Sequence, residues 1–71
     1  MPATIRLGDT GEDVKRLQRV LARMKSLSPD RVTGSFESVT ESAVKDFQQS
    51  QGLGTNGTLD EPTLSALGVA G

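Results

Sequence analysis

Val32-Thr33-Gly34-Ser35-Phe36-Glu37-Ser38-Val39-Thr40-Glu41-Ser42-Ala43-Val44-Lys45-Asp46-Phe47-Gln48 runs on to Gln51-Gly52-Leu53, and this stretch decides the fold. It reads as a glycine turn, an aromatic plug and one amphipathic helix. Ser38-Val39-Thr40-Glu41 fits a capping box, in which the Ser38 hydroxyl takes the Glu41 amide and the Glu41 carboxylate reaches back. Ala43, Val44 and Phe47 then form one apolar stripe at helical spacing. Gly52 supplies the left-handed residue that ends a helix, with Leu53 placed for a Schellman motif. Both phenylalanines of the chain lie here, so the core is expected here.

Upstream, Ile5 and Leu7 alternate around Arg6 in an extended lead-in, and Gly8-Asp9-Thr10-Gly11 makes a turn. Thr10 and Asp13 resemble a second capping box. A first helix is predicted from about Gly11 to Met24, with Val14, Leu17, Val20, Leu21 and Met24 on its apolar face. Lys15, Arg16, Arg19, Arg23 and Lys25 crowd the rest, a basic ridge on a chain of net charge −1. Ser26 to Arg31 reads as a surface loop, and Pro29 stops helical continuation. Downstream, Gly54-Thr55-Asn56-Gly57 is a turn, Asp60 caps a short third helix with Pro62 in its first turn, Leu64 and Leu67 face inward, and Gly68 ends it. The tail, residues 69–71, is expected to be unordered.

Two segments repeat. Gly34-x-Phe36-x-x-x-Thr40-x-x-Ala43-Val44 matches Gly57-x-Leu59-x-x-x-Thr63-x-x-Ala66-Leu67 at a displacement of twenty-three residues. Val14-Lys15-Arg16-Leu17-Gln18 similarly echoes Val44-Lys45-Asp46-Phe47-Gln48. Reuse of one turn-plug-helix unit places each plug under the next helix. The expectation is all-α: a compact three-helix bundle with short glycine turns, one domain over 1–71 with an ordered core of about 5–68.

Composition removes several functions. With no histidine and no cysteine, the commonest metal ligands and the commonest general base near neutral pH are missing. The acidic groups include no pair in an apolar setting, and most stand in helix first turns, where they suit the helix dipole. No phosphate loop, EF-hand or zinc signature appears. No enzyme activity and no cofactor are expected. A pI near 5.2 argues against a nucleic-acid partner. No apolar run approaches the roughly 20 residues of a membrane span, so no membrane insertion is expected. Met1-Pro2-Ala3-Thr4 has no signal-peptide character; the chain reads as cytosolic or as a segment of a longer exported one.

Three ordered motifs carry a resemblance. Leu7-Gly8-Asp9-Thr10-Gly11-Glu12-Asp13-Val14-x-x-Leu17-Gln18 resembles the opening motif of the peptidoglycan-binding domain of bacterial and phage cell-wall hydrolases. Val32-Thr33-Gly34-x-Phe36-x-x-x-Thr40-x-x-Ala43-Val44-x-x-Phe47-Gln48-x-x-x-Gly52-Leu53 is similar to its middle motif, and Asn56-Gly57-x-Leu59-x-x-x-Thr63-x-x-Ala66-Leu67 to its closing one. The resemblance spans about Ile5 to Gly68. It implies a non-catalytic three-helix module that binds peptidoglycan or a muropeptide, targets an attached protein to the wall, acts as a monomer, and resides in the cell envelope or is secreted. The sequence departs from the family at Leu64, where an aromatic is usual, and at Glu61-Pro62, where Gly-Pro is usual.

With both rings assigned to the core, recognition would fall to polar groups. Arg16, Arg19 and Arg23 could meet stem-peptide carboxylates bidentately, although a solvated helix face accounts for each arginine taken singly. Gln49, Gln51, Thr55 and Asn56 cluster around the end of the second helix as hydrogen-bonding groups for a peptide or amino sugar; they are also ordinary loop content. Gln18 and Gln48 could bind a ligand, but tying helix to loop is the preferred role. Turn geometry explains Gly34 and Gly57, and helix-entry bonding explains Thr40 and Thr63. Two alternatives share the fold: a protein-interaction module acting through the first helix, and a helix-turn-helix DNA binder, against which the acidic balance speaks.

Overall fold

The glycine-hinged repeat is built as two equivalent corners of one small fold. The computed structural model describes residues 4–68; the expectation for the tail falls outside them. Helix α1 spans Glu12–Arg23, a 3-10 turn spans Pro29–Arg31, α2 spans Ser38–Ser50 and α3 spans Glu61–Leu67. Among the described residues no helix is long and apolar enough to cross a membrane.

The core draws Val14, Leu17 and Leu21 from α1, Ala43, Val44 and Phe47 from α2, and Leu64 from α3. The plugs Phe36 and Leu59 are both buried, and Leu67 packs against the cluster. Both phenylalanines are therefore core residues, as expected of Phe36 as the plug and of Phe47 on the stripe. Two further members also come from segments outside the helices: Ile5, and Leu27 in the α1–α2 connection. That connection is more than a surface loop, since Leu27 seals the end of the core. Met24 leaves the predicted apolar face and is 44% exposed, because α1 ends one residue before it.

The lead-in is a strap across both corners. Ile5 and Leu59 exchange backbone hydrogen bonds, Ile5 N to Leu59 O at 3.1 Å and Leu59 N to Ile5 O at 2.7 Å. Three residues on, Gly8 N donates to Phe36 O at 3.0 Å and Phe36 N donates to Asp9 O at 2.9 Å. Gly11 N donates to Gly34 O at 2.9 Å. The strap thus fixes both plugs through their own backbone; Ile5 is buried, but Leu7 stands half exposed because the chain turns there, with Asp9 N donating to Arg6 O at 3.0 Å.

Two of the predicted helix entries differ. Gly11, not Thr10, precedes α1, and no side chain caps it; Thr10 is instead bridged to Ser35. Ser38 is the first residue of α2 rather than its cap, and Glu37 in extended conformation precedes it without a side-chain bond. Tertiary bonds position α2 here: Thr40, in its first turn, is buried and held from α1. The third entry is as expected, with Asp60 accepting from the Thr63 amide.

Helix exits follow one device twice. At α2, Gly52 has φ 72, Leu53 N donates to Gln48 O at 2.9 Å and Gly52 N to Gln49 O at 3.2 Å, which is the Schellman pattern. At α1 the same pattern closes on a residue with a side chain. Lys25 has φ 64, Ser26 N donates to Leu21 O at 2.9 Å and Lys25 N to Ala22 O at 3.0 Å. A left-handed conformation disfavours any residue with a Cβ, so this exit carries strain that the α2 exit avoids.

Candidate functional site

Buried amides decide which polar groups remain free for a partner. Gln18, within α1, is 1% exposed. Its Oε1 accepts from the backbone amides of Thr33 at 2.9 Å and Gly34 at 2.8 Å. Its Nε2 donates to Ser35 O at 2.9 Å and to Thr40 Oγ1 at 3.1 Å. Gln48, within α2, repeats the arrangement on the next corner. Its Oε1 accepts from Gly57 N at 3.0 Å, and its Nε2 donates to Thr58 O at 2.9 Å, Thr63 Oγ1 at 2.9 Å and Asn56 Oδ1 at 3.0 Å. Each glutamine satisfies its whole amide inside the protein, so neither can serve a ligand; the role of tying helix to loop holds for both.

Thr40 and Thr63 are the far anchors of these clamps. Thr63 also makes the helix-entry bond foreseen for it, donating from Oγ1 to Asp60 Oδ1 at 2.6 Å. For Thr40 the tertiary bond to Gln18 replaces the purely local explanation. At Gly57, turn geometry is only half the reason for glycine. Its φ is 79, and a Cβ there would stand 2.7 Å from Glu41 Cγ and 3.0 Å from Lys45 Cε. Among the described residues every buried side-chain nitrogen and oxygen has a partner.

With the inner amides committed, the surface offers two clusters of the predicted residues. Arg16, Arg19 and Arg23 are all exposed along α1, spaced three and four residues apart and so on one face. Arg19 and Arg23 line an open hollow of about 430 Å³ with Ala22, Pro29 and Val32. Arg16 continues the ridge one turn earlier and does not line it. A second hollow of about 430 Å³ adjoins it, lined by Ala22, Lys25, Ser26, Leu27, Ser28 and Pro29. Ala22 and Pro29 belong to both, so the two read as one groove between the end of α1 and the 3-10 turn. Its floor is apolar and its edges carry Arg19, Arg23 and Lys25.

Gln49, Gln51, Thr55 and Asn56 are exposed around the end of α2 and line neither hollow. Asn56 is heavily used within its own turn. Besides accepting from Gln48, its Oδ1 accepts from Thr58 N at 3.0 Å and Thr58 Oγ1 at 2.9 Å, while its Nδ2 donates to Asp60 Oδ2 at 3.1 Å. The Thr63 hydroxyl first, and the Asn56 amide next, hold the Asp60 carboxyl below its ordinary value, against a smaller opposing effect of burial.

The groove floor was missed in the sequence. Pro29 stood out only as a helix stop, Val32 only as the opening of the fold-deciding stretch, and Ala22 not at all. Their common surface exists only because the chain doubles back after the α1 exit, and that reversal rests on Lys25, whose left-handed conformation has no glycine or asparagine to announce it.

A family profile described as "Putative peptidoglycan binding domain" matches residues 10–67. Among solved structures, the N-terminal domain of SleB is similar at 33% identity and TM-score 0.85, over 90% of this chain and 86% of that one. A peptidoglycan-binding protein from Clostridioides difficile, solved in complex with glutamine hydroxamate, is similar at 34% identity and TM-score 0.84, over 92% of this chain and 40% of that one. The endolysin of Burkholderia AP3 phage is similar at 36% identity and TM-score 0.82, over 94% of this chain and 25% of that one. The chain thus spans less than half the length of the last two. No curated protein sequence matches it.

Proposed function

The chain belongs to the peptidoglycan-binding domain family, and from that premise we propose that it is a non-catalytic module that holds an attached protein on murein in the cell envelope. The observation that supports this reading best is the groove beside α1. It offers Arg19 and Arg23 over an apolar floor of Ala22, Pro29 and Val32. A peptide stem of peptidoglycan presents methyl groups and free carboxylates, and a guanidinium meets a carboxylate through two parallel hydrogen bonds. Arg16 extends the cationic edge along the same helix face. Gln49, Gln51 and Thr55 form a second polar surface at the end of α2 that a muropeptide or amino sugar could extend across; Asn56 belongs to it through position, with its amide already bonded.

Exposed ion pairs contribute about 0–1 kcal/mol each, so a single module binds weakly and loses affinity as salt rises. A repeating wall polymer and a tethered partner domain offset this through effective concentration. The lack of histidine and cysteine, which removes the commonest general base and the thiol nucleophile, supports a binding rather than a catalytic role.

Cosedimentation with purified murein sacculi is the direct test. Retention at low salt, reduced in Arg19→Ala and in Arg23→Ala and unaffected by Asp30→Ala, is expected. Failure of the folded domain to cosediment at low salt defeats the proposal.

A further inference from the structure

Asn56-Gly57 is the one asparagine in the chain, followed by the residue that offers least steric resistance to attack on its side chain. In an open chain such a pair rearranges spontaneously. The Gly57 backbone nitrogen bonds to Asn56 Cγ, the Cγ–Nδ2 bond breaks, and Nδ2 leaves as ammonia carrying the proton lost by the Gly57 amide. Water then opens the cyclic imide at either carbonyl, giving aspartate or isoaspartate.

We propose that Asn56-Gly57 is a self-modification site held shut by the fold, with Gln48 as its guard. Both reacting groups are occupied. The Gly57 amide, whose proton must depart, donates it to Gln48 Oε1 at 3.0 Å within a buried residue. The Asn56 amide, which must swing toward that nitrogen, is held by Gln48 Nε2, Thr58 N, Thr58 Oγ1 and Asp60 Oδ2, all within 3.1 Å. One glutamine thus grips nucleophile and electrophile together, and reaction needs the corner to open.

The product cannot restore that corner. Aspartate at position 56 has no donor for Asp60 and sets two carboxylates side by side where Asn56 Nδ2 now lies 3.1 Å from Asp60 Oδ2. Isoaspartate lengthens the backbone just before Gly57, where the Glu41 side chain already stands so close that even an added Cβ would have to displace it. An episode of unfolding therefore becomes a permanent chemical mark that hinders return. This inference does not rest on the wall-binding reading: Asn56 borders the polar surface at the end of α2, but the rearrangement needs no ligand.

The test incubates the whole chain at mildly alkaline pH in native buffer and in concentrated urea, and follows intact mass with peptide mapping at residue 56. Conversion at least about tenfold slower in native buffer is expected, since reaction must wait for local or global opening; equal rates overturn the proposal. Gln48→Ala, if folded by circular dichroism, should lose much of the protection, and a folded Gln48→Ala as protected as the wild type removes Gln48 from the role. Should that variant not fold, hydrogen exchange of the Gly57 amide in the wild type decides: slow exchange supports the guard, and exchange at the open-chain rate refutes it.

Discussion

Gln48 donates from Nε2 to Thr63 Oγ1 at 2.9 Å, joining the buried sides of α2 and α3. Gln18 and Thr40 make the same connection between α1 and α2 at 3.1 Å. Each glutamine also satisfies backbone groups of the intervening glycine turn, so one side chain fixes two helices and a loop.

Replacing Gln18 or Gln48 by leucine should therefore destabilise well beyond the loss of one bond. The turn amides of Thr33 and Gly34, or of Gly57, lose their acceptor, and an unsatisfied buried donor costs about 1–3 kcal/mol. A loss of roughly 2–3 kcal/mol in urea unfolding is expected for each. A loss below about 0.5 kcal/mol, within the range of ordinary surface substitutions, would mean the clamps are incidental.

Lys25→Gly should stabilise the domain. Lys25 sits at φ 64, a conformation that costs an L-residue roughly 1–2 kcal/mol, while glycine's greater freedom in the unfolded chain returns part of the gain. A net increase of about 0.5–1 kcal/mol is expected. A lower unfolding midpoint for the glycine variant would show that the lysine side chain contributes contacts outweighing its backbone strain.

Alanine at two glycines of similar left-handed backbone should separate conformation from space. Gly52, with φ 72, has nothing within 4 Å of a built Cβ, whereas Gly57 has Glu41 Cγ at 2.7 Å. Gly52→Ala is expected to cost about 1 kcal/mol and Gly57→Ala about 2 kcal/mol or more, the excess being the displacement of Glu41. Equal losses would deny the close approach.

Acid should loosen the third helix in a defined direction. Because the folded Asp60 carboxyl is held below the ordinary value of 3.8, its contribution is fully present above that pH. It is lost as pH falls from there toward the folded value, as protonation removes the acceptor for Thr63 and Asn56. Asp60→Asn should flatten the acid limb of a stability–pH curve while leaving the limb near neutrality level. An unchanged acid limb would assign that pH dependence to other carboxylates.

The elements that repeat were the legible ones. The plugs, the α2 stripe, the Gly52 exit and the Asp60 cap follow from local spacing, and all stand where spacing put them. The two failed capping boxes share a cause. Ser38 and Thr10 are suited to capping locally, yet the positions of α1 and α2 are set by bonds from Gly34, Ser35 and Gln18, more than fifteen residues away in sequence for most. Leu27 escaped notice because a core residue in a connection has no period to reveal it. For the candidate site, the arginine spacing was visible along α1, but the groove that two of the three border arises from the chain reversal at Lys25. No helical period encodes that reversal.

The strap has a consequence for how this protein comes into being. Within this domain Ile5 leaves the ribosome before every other core residue, and its backbone partner Leu59 follows all of them but Leu64. The early glycine corner can form as soon as α2 has emerged, but the clasp that closes the domain must wait for Leu59, and such sequence-distant pairings slow folding. A nascent module is thus open along one side until Leu59 has emerged, and anything that pauses translation ahead of Leu59 prolongs that exposure.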